Sequence, residues 1–339
     1  MEKKQWIIAG VIILLSLPIK KIYAQDPHFS QYFTSPMTMN PALTGKDVGG
    51  WRATSNFRSQ WWGGSISPFT TITAGIEKGS AGDSLGKNSF GLGLFFLSDQ
   101  SNAGILKNNY LTAGVAYHIS LNATGSEQLS LGIEAGYANR LLDASKFEFQ
   151  SQFGSMGFQR STASGDPVNV QSNQYFDINA GVDFSNNKTS WGYGLGAAIF
   201  HASNPKQGVY NNSSYSLSPR LTFRGSLFFK PGNNDEWHFS GINDVQGENS
   251  ILTLGSIYKI GVHQKVLESL NIGIFNRFHD ALYPYIGMEA KSWLLGLSYD
   301  IVTSDIRTAY NSVQSMEVSF TWLFGSGKTA DEPKQVVHY

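Results

Sequence analysis

Histidine and aspartate are the residues through which this sequence would bind metal or transfer protons, if their spacing allowed it. The seven histidines are scattered, and none falls in an HExxH or comparable ligand spacing. Asp177 and Asp183 lie on one face of a predicted strand about 20 Å apart, at ~3.3 Å per residue, too far to share a proton. No GxSxG nucleophile motif occurs. The sequence therefore identifies no catalytic, metal-binding or cofactor-binding residue, and we expect a protein that is not an enzyme.

Two glycine-rich stretches imitate nucleotide-binding motifs. The stretch "GYGLGA", which begins at Gly192, opens no predicted helix, and its glycines alternate with larger residues as in a strand. In "GDSLGKNS" only three residues separate Gly82 from Gly86, and Asn88 stands where a phosphate-binding loop needs Ser or Thr. Neither stretch predicts a nucleotide site.

Alternation of apolar and polar residues is the main structural signal. In "YLTAGVAYHISL" every second residue from Leu111 to Leu121 is apolar, and "YFDINAGVDF" and "MEVSFTWLF" repeat the pattern. Only 15% of residues are charged, 13% are aromatic and 36 are Gly, which favours a membrane β-barrel over a soluble sandwich or a helical membrane protein. We predict an all-β, transmembrane antiparallel β-barrel of about fourteen strands, near residues 51–59, 68–78, 88–97, 109–121, 127–140, 174–185, 190–201, 217–230, 236–242, 249–260, 267–276, 281–290, 292–301 and 315–324.

The lengths of the connections alternate along the chain. Tight turns are predicted at 79–87, 122–126, 186–189 and 231–235, whereas long loops are predicted at 98–108, 141–173, 202–216 and 302–314. Outer-membrane barrels have short periplasmic turns and long extracellular loops. The short-turn rim is therefore predicted to face the periplasm, and an aromatic girdle is expected there, formed by Trp51, Trp191, Trp237, Trp293 and Trp322.

Charged residues of both signs alternate onto the inner face of these strands. Buried charges need partners, so cross-lumen ion pairs that stiffen the wall are one interpretation, and a charged lining of a water path is the other. The predicted lumen charges are Arg52, Arg58, Glu134, Asp177, Asp183 and Arg224, with Glu77, Lys230, Lys259 and Glu289 in the same pattern.

The N-terminus has the layout of a secretory signal peptide, with two lysines, a short apolar run and a cleavage site between Ala24 and Gln25. A single membrane anchor is the less favoured alternative, because Lys20 and Lys21 end the run early. Equal numbers of basic and acidic residues, 25 each, give no reason to expect nucleic acid as a partner. The predicted organisation is a signal peptide (1–24), an N-terminal segment (25–48), an outer-membrane barrel (49–325) and a periplasmic tail (326–339).

The N-terminal segment is aromatic and rich in proline, and it follows neither a helical nor a strand period. Proline cannot donate to a strand ladder, which keeps such a segment out of the sheet. We expect residues 25–45 to fold against the periplasmic mouth or into the lumen as a plug, the alternative being a disordered periplasmic tail. The predicted anchors are Phe29, Tyr32, Phe33, Pro36 and Pro41.

Several stretches, taken in order, resemble the PorP/SprF family of outer-membrane proteins of the type IX secretion system in Bacteroidota. They include "QDPHFSQYFTSPMTMNPALTG", "GLGLFFLSDQSNAGILKNNYLTAGVAYHISL", "GIEAGYANRLLDASKFEF" and "YIGMEAKSWLLGLSYDI". The resemblance covers nearly the whole chain after the leader. The tail after Phe324 departs from barrels that finish on the aromatic residue of the last strand.

The resemblance implies a non-enzymatic role in exporting or anchoring a secreted, adhesin-like protein that carries a C-terminal sorting domain. It also implies a link to gliding motility and to periplasmic ring or peptidoglycan-binding components. The alternatives are a channel or transporter for small solutes and, least favoured, an outer-membrane enzyme. Besides outer-membrane lipid, the expected partner is the secreted cargo, received by the loop Leu141–Asn173 through Phe147, Phe149, Phe153, Met156 and Phe158.

Overall fold

The structure is a computed structural model. It describes residues 26–63, 67–80, 88–165, 170–207, 215–232, 235–262, 264, 266–305 and 313–325. The predicted signal peptide and the predicted tail 326–339 lie outside the described residues. No helix in the described part of the chain is long and apolar enough to cross a membrane.

Fourteen strands close into an antiparallel barrel, and the first strand pairs with the last from Trp51↔Phe324 onward. The barrel predicted from the sequence is thereby confirmed. A two-stranded hairpin, β6–β7, lies within one loop. In chain order the strands are β1 (Trp51–Trp62), β2 (Phe69–Gly79), β3 (Ser89–Ser101), β4 (Leu106–Ser120), β5 (Glu127–Asp143), β6 (Phe153–Gly154), β7 (Gly157–Phe158), β8 (Val170–Asn187), β9 (Trp191–Phe200), β10 (Arg220–Gly232), β11 (Asp235–Gln246), β12 (Asn249–Gly261), β13 (Ser269–Arg277), β14 (Ala281–Glu289), β15 (Trp293–Val302) and β16 (Gln314–Phe324).

Each strand has a buried face and an exposed apolar face. In β14 the side chains of Tyr283, Tyr285 and Glu289 are buried in the lumen, whereas Ile286 and Met288 are exposed on the outside. Successive side chains of a strand point to opposite sides of the sheet, so alternation in sequence becomes a lipid face and a luminal face. The exposed apolar face is what a bilayer requires of a barrel wall.

The two rims of the barrel differ. Short turns join β4 to β5, β8 to β9, β10 to β11 and β14 to β15, and we call this end the turn rim. The connections from β5 to β8 and from β9 to β10 are long and meet at the other end, the loop rim. At the turn rim, Trp51 stacks on Phe324 with ring centroids 6.3 Å apart. The five predicted girdle tryptophans are all at or within three residues of a strand end at the turn rim, and all are at least partly exposed.

Four neighbouring strands rise above the others at the loop rim, and they correct one predicted loop. We expected residues 98–108 to form a long loop, but residues 98–101 pair with 106–109 and leave only a short connection. Likewise β5 and β8 pair up to Asp143↔Val170. These extensions are polar on their outer face, because that face meets water above the bilayer, so the alternation that marks a transmembrane strand ends before the strand does. We call these extensions of β3, β4, β5 and β8 the raised wall.

Candidate functional site

The N-terminal segment, residues 26–48, passes through the lumen from one rim to the other. At the loop rim the backbone N–H of Asp26 donates to Gln246 Oε1 at 3.0 Å, at the end of β11. At the turn rim Val48 is buried, and the chain enters β1 at Trp51. Since β1 begins at the turn rim, the segment runs down the lumen before the wall begins.

Aromatic residues of the segment pack against two parts of the wall. Tyr32 and Phe33 pack against β11 to β16, whereas Phe29 packs with Phe95 and Leu97 of β3. Phe29, Tyr32 and Phe33 are all buried. Phe33 stacks on Phe275 of β13 with centroids 5.5 Å apart, and the Tyr32 hydroxyl lies 2.8 Å from Ser240 Oγ. Burial of three aromatic rings supplies much of the apolar contact that holds the segment.

Proline shapes the backbone of the segment. Pro36 opens the four-residue helix Pro36–Met39, and Pro41 opens the helical turn Pro41–Leu43. The fixed φ of proline suits the first position of a helix, where its missing N–H would have had no intrahelical partner. The Asn40 side chain caps the second turn by accepting from the N–H of Ala42. The segment therefore satisfies much of its own backbone without joining the sheet.

Glycines of the opposite wall leave room for the backbone of the segment. A Cβ on Gly91 would overlap the carbonyl oxygen of Thr44, and a Cβ on Gly132 would overlap that of Pro41. Close approach of the segment therefore explains part of the glycine pattern in β3, β5, β8 and β9, whereas Gly136, Gly192 and Gly194 leave room for residues of the wall itself. The same close approach to the segment occurs at Gly79, Gly93, Gly181, Gly196 and Gly296.

A buried ion network joins the segment to the wall on the loop-rim side of the lumen, where β13 ends at Arg277 and β15 ends two residues after Asp300. Arg58 contacts Asp300 at 2.9 Å and Glu317 at 3.2 Å, and Arg277 contacts Asp300 at 2.6 Å. The N–H of Ser30 donates to Glu317 at 2.7 Å, and its hydroxyl donates to Asp300 at 2.7 Å. Two cations, two carboxylates and polar groups of the segment thus satisfy one another away from water.

A second network holds the segment near the turn rim. Asp183, which is fully buried, contacts both Lys46 Nζ and Arg224 Nη1 at 2.6 Å. Close by, Arg52 contacts Glu77 at 2.7 Å, and Glu77 also accepts from an N–H of the segment at 3.2 Å. The predicted wall charges therefore pair with the segment as well as with one another.

A third cluster ties the start of the segment to the loop rim. His201 lies between two carboxylates, with Nε2 2.8 Å from Asp26 and Nδ1 2.6 Å from Asp177, and Arg220 lies 3.5 Å from Asp26. Burial alone would lower the pKa of His201, but the two carboxylates outweigh it and raise the pKa to about 9. Burial opposes ionisation of Asp26, yet His201 and Arg220 hold its pKa below the ordinary value. We call this cluster the latch.

The latch predicts a pH dependence. The folded pKa of His201 exceeds its ordinary value, so its contribution is complete below about pH 6.5 and is lost as the pH rises through about 9. Between pH 7 and 10 the free energy of unfolding should fall by about 2 to 3 kcal/mol more in the wild type than in His201→Gln. Denaturant unfolding in detergent at both pH values measures this difference. Equal losses in the two proteins would contradict an ionic latch.

The predicted lumen charges are buried except Lys230 and Lys259, which are partly exposed, and they do not form one site. Asp177 belongs to the latch, Arg58 to the network with Asp300 and Glu317, and Arg52, Asp183 and Arg224 to the pairs near the turn rim. Glu134 differs, because Asn179 is its one hydrogen-bond donor among the described residues, at 3.2 Å. Among the described residues, no group of three side chains could hold a metal ion.

Sequence reasoning missed several charged residues of these three clusters. Those absent from the predicted lumen charges are Asp26, Lys46, His201, Arg220, Arg277, Asp300 and Glu317. Glu317 alternates with apolar residues in β16, so the period-2 pattern contained the signal. Lys46 and Asp26 lie in the unpatterned segment, where no periodicity assigns a direction to a side chain.

The long loop between β5 and β8 exposes two of the five apolar residues predicted for cargo contact, Phe153 and Met156, whereas Phe147, Phe149 and Phe158 are half-buried. Phe153 of β6 and Phe158 of β7 pack with ring centroids 5.5 Å apart. Phe147 and Phe149 form a second pair at 6.1 Å. Phe153 is 54% exposed, and Met156, at the tip of the hairpin, is 88% exposed. An apolar hairpin tip in water is typical of a protein-interaction site.

Solved structures similar in fold to this chain include outer-membrane barrels. The structure titled "TodX deltaS2S3 mutant monoaromatic hydrocarbon channel" has a TM-score of 0.50 at 12% identity, covering 85% of this chain and 94% of that one. The toluene transporter TodX of Pseudomonas putida has a TM-score of 0.48 at 9% identity, and the match covers 89% of this chain and 96% of that one. A FadL homologue of Pseudomonas aeruginosa has a TM-score of 0.44 at 10% identity, and the match covers 86% of this chain and 98% of that one. Such low identities show the fold alone.

No curated protein sequence matches the chain. Residues 21–322 match the family described as "Type IX secretion system membrane protein PorP/SprF". The match covers most of the chain: it includes the N-terminal segment and the whole barrel except the last two residues of β16. Together with the barrel fold, it places the protein in the outer membrane, as the sequence predicted. The chain belongs to the PorP/SprF family of type IX secretion system membrane proteins.

Proposed function

We propose that this outer-membrane component of the type IX secretion system receives a secreted protein at its loop rim and aids its export or attachment. The secreted protein is an adhesin-like cargo with a C-terminal sorting domain, and the role is non-enzymatic. In this proposal the loop rim faces outward and the turn rim faces the periplasm, where ring or peptidoglycan-binding components dock.

One observation carries the proposal: the lumen is occupied by the segment, whereas the loop above it presents apolar side chains to water. The segment contacts inner-face residues on both sides of the barrel and is held by three ionic clusters. By contrast, Phe153 is largely exposed although it packs against Phe158, and Met156 is exposed at the hairpin tip. A barrel closed inside and adhesive outside suits a receptor or anchor better than a pore.

Mutation of the hairpin tip tests the proposal. Phe153→Ser combined with Met156→Ser should weaken capture of the secreted protein about tenfold, because exposed apolar anchors dominate binding energy. A tagged barrel, solubilised in detergent, is used to capture secreted proteins, and mass spectrometry identifies those with a C-terminal sorting domain. The control is Glu148→Ser with Gln150→Ser, two exposed polar residues of the same loop. Equal capture by the mutant and the control would exclude the hairpin as the receptor surface.

A channel or transporter for small solutes is the second candidate. The barrel neighbours whose titles name channels resemble this chain in fold alone, so they add no argument about its solute. A steady ion conductance in the full-length protein, without any protein partner, would favour the channel. The packed lumen predicts the opposite result.

A further inference from the structure

Strand β8 has one edge that no neighbouring strand covers near the loop rim. On one side it pairs with β5 along its full length, from Asp143↔Val170 to Glu127↔Asn186. On the other side its pairing with β9 begins only at Ala180↔Ile199. β9 ends at Phe200, and the chain then turns away, so residues 170–179 have no strand partner on that side among the described residues.

The backbone groups on this free edge can be identified from one hydrogen bond. The N–H of Ala202 donates to the carbonyl of Ile178, so the backbone groups of Ile178 point toward β9. Backbone direction alternates along a strand, and the N–H and C=O groups of Ser172, Gln174 and Phe176 therefore point the same way. In the described part of the chain no group bonds to them. They form a regular row of free donors and acceptors.

Exposure of one side chain supports an uncovered edge. Phe176, on the outer face of β8, is 78% exposed, whereas Phe90, Phe96 and Phe223 on the outer faces of β3 and β10 are 41 to 57% exposed. Those three lie between two paired strands, and Phe176 is flanked by a strand on one side only. A strand added at the free edge would cover both its ring and the backbone row beneath it.

The sequence of the edge lacks the usual protection against pairing. Residues 170–176 read "VQSNQYF", without a charge, a proline or a glycine. Soluble edges are normally blunted by lysine, proline or a bulge, because a bare edge is a template for another strand. β8 keeps a regular register with β5 here, without a bulge. An unprotected polar edge is expected where pairing with another chain is the function.

We propose that residues 170–177 of β8 bind an extended strand of the secreted protein by strand addition. This inference rests on the proposed function and names how the partner is held. Only an extended backbone matches donors and acceptors that repeat every second residue. The same strand begins directly after the loop that carries Phe153 and Met156, so a docked domain contacts both. The upper part of the edge, residues 170–173, pairs with residues 140–143 and belongs to the raised wall.

A proline substitution separates backbone pairing from side-chain contact. The N–H of Gln174 points to the free edge and takes no part in the β5–β8 ladder, so Gln174→Pro removes the free donor and leaves the wall paired. Gln174→Ala keeps the N–H and removes the side chain. The probe is the purified C-terminal sorting domain of a secreted protein that the wild-type barrel captures in the pull-down described above. Gln174→Pro should weaken its binding about tenfold, and Gln174→Ala less than about twofold.

Hydrogen exchange on the isolated barrel tests the edge without any partner. The amides of Ser172, Gln174 and Phe176 should exchange about a hundredfold faster than those of Asn173 and Tyr175, which bond to β5. Slow exchange in the isolated protein would overturn the proposal, because this chain would then cover its own edge. Protection that appears on adding the sorting domain supports it.

Three other outcomes distinguish failure of strand addition from failure of the proposed function. Equal binding by Gln174→Pro and the wild type would overturn strand addition and leave the proposed function in place. No binding by the wild type would overturn both. A dimer of the purified barrel that Gln174→Pro dissociates would assign the edge to a second copy of this chain instead. In all arms, heat-modifiable gel migration confirms that the barrel is folded.

Discussion

A barrel that lacks residues 26–44 should conduct ions in a planar lipid bilayer, whereas the full-length barrel should stay closed. The segment fills the space between the buried aromatic residues of β13 and β14 and the glycines of β3, β5, β8 and β9. Its removal leaves a polar, charged lumen that water can enter. We expect discrete, ohmic current steps, a rise of orders of magnitude over the full-length protein. The deletion joins Gln25 to Gly45, so the predicted cleavage site and Lys46 with its partner Asp183 are retained.

A disulfide lock provides the matched control. A Cβ on Gly181 would lie 3.0 Å from Asn40 Cγ, which is about the distance from Cβ to the far sulfur in a disulfide. The chain has no cysteine, so Asn40→Cys with Gly181→Cys introduces the only pair. Openings that voltage induces in the full-length barrel should vanish in the oxidised protein and return on reduction. A deletion barrel that stays closed would show that something other than the segment closes the lumen.

The wall of the barrel could be predicted from the sequence because its two faces meet different surroundings. In "YLTAGVAYHISL" Leu111 and Val115 meet lipid and Thr112 and His118 are buried inside, as the alternation predicted. Where both sides meet water the signal ends. Residues 98–101 were assigned to a loop for this reason, although they continue β3.

The pairing of the luminal charges could not be predicted, because it depends on closure and register. Arg58 and Glu317 are 259 residues apart in the sequence, and they become neighbours only because β1 pairs with β16 in the register Arg58↔Glu317. Nothing local in either strand specifies that register. The sequence could show that Arg58 needs a partner, but not which carboxylate would be the partner.

The path of the segment was predicted only in part. Its aromatics and prolines indicated that it leaves the sheet and packs inside or against the mouth. Its direction depends on Asp26, whose partners His201 and Arg220 lie in distant parts of the chain at the loop rim. A segment that begins at the loop rim and ends at the turn rim touches both surfaces at which partners are proposed to dock.

Removal of the Asp183 carboxylate should cost more stability than any other single change at the luminal ion pairs. Asp183 is fully buried and is the shared partner of Lys46 and Arg224. Asp183→Ala removes the carboxylate that both cations share, and breaking a buried pair costs about 3 to 5 kcal/mol. Urea or guanidinium unfolding of the detergent-solubilised barrel, followed by tryptophan fluorescence, measures the loss.

Two further variants distinguish lost charge from lost packing. Lys230, whose side chain is 38% exposed, pairs with Glu236 at the turn rim, and Lys230→Ala should cost less than about 1 kcal/mol, as exposed pairs do. Adding Lys46→Met to Asp183→Ala removes one of the two cations that the carboxylate had paired with. The double mutant should recover part of the lost free energy of unfolding, since an apolar replacement of a buried ion pair is often close to neutral. If Asp183→Ala cost no more than Lys230→Ala, water would be reaching Lys46 and Arg224. The lumen would then be wet around the segment, and the closed barrel argued above would be wrong at its turn rim.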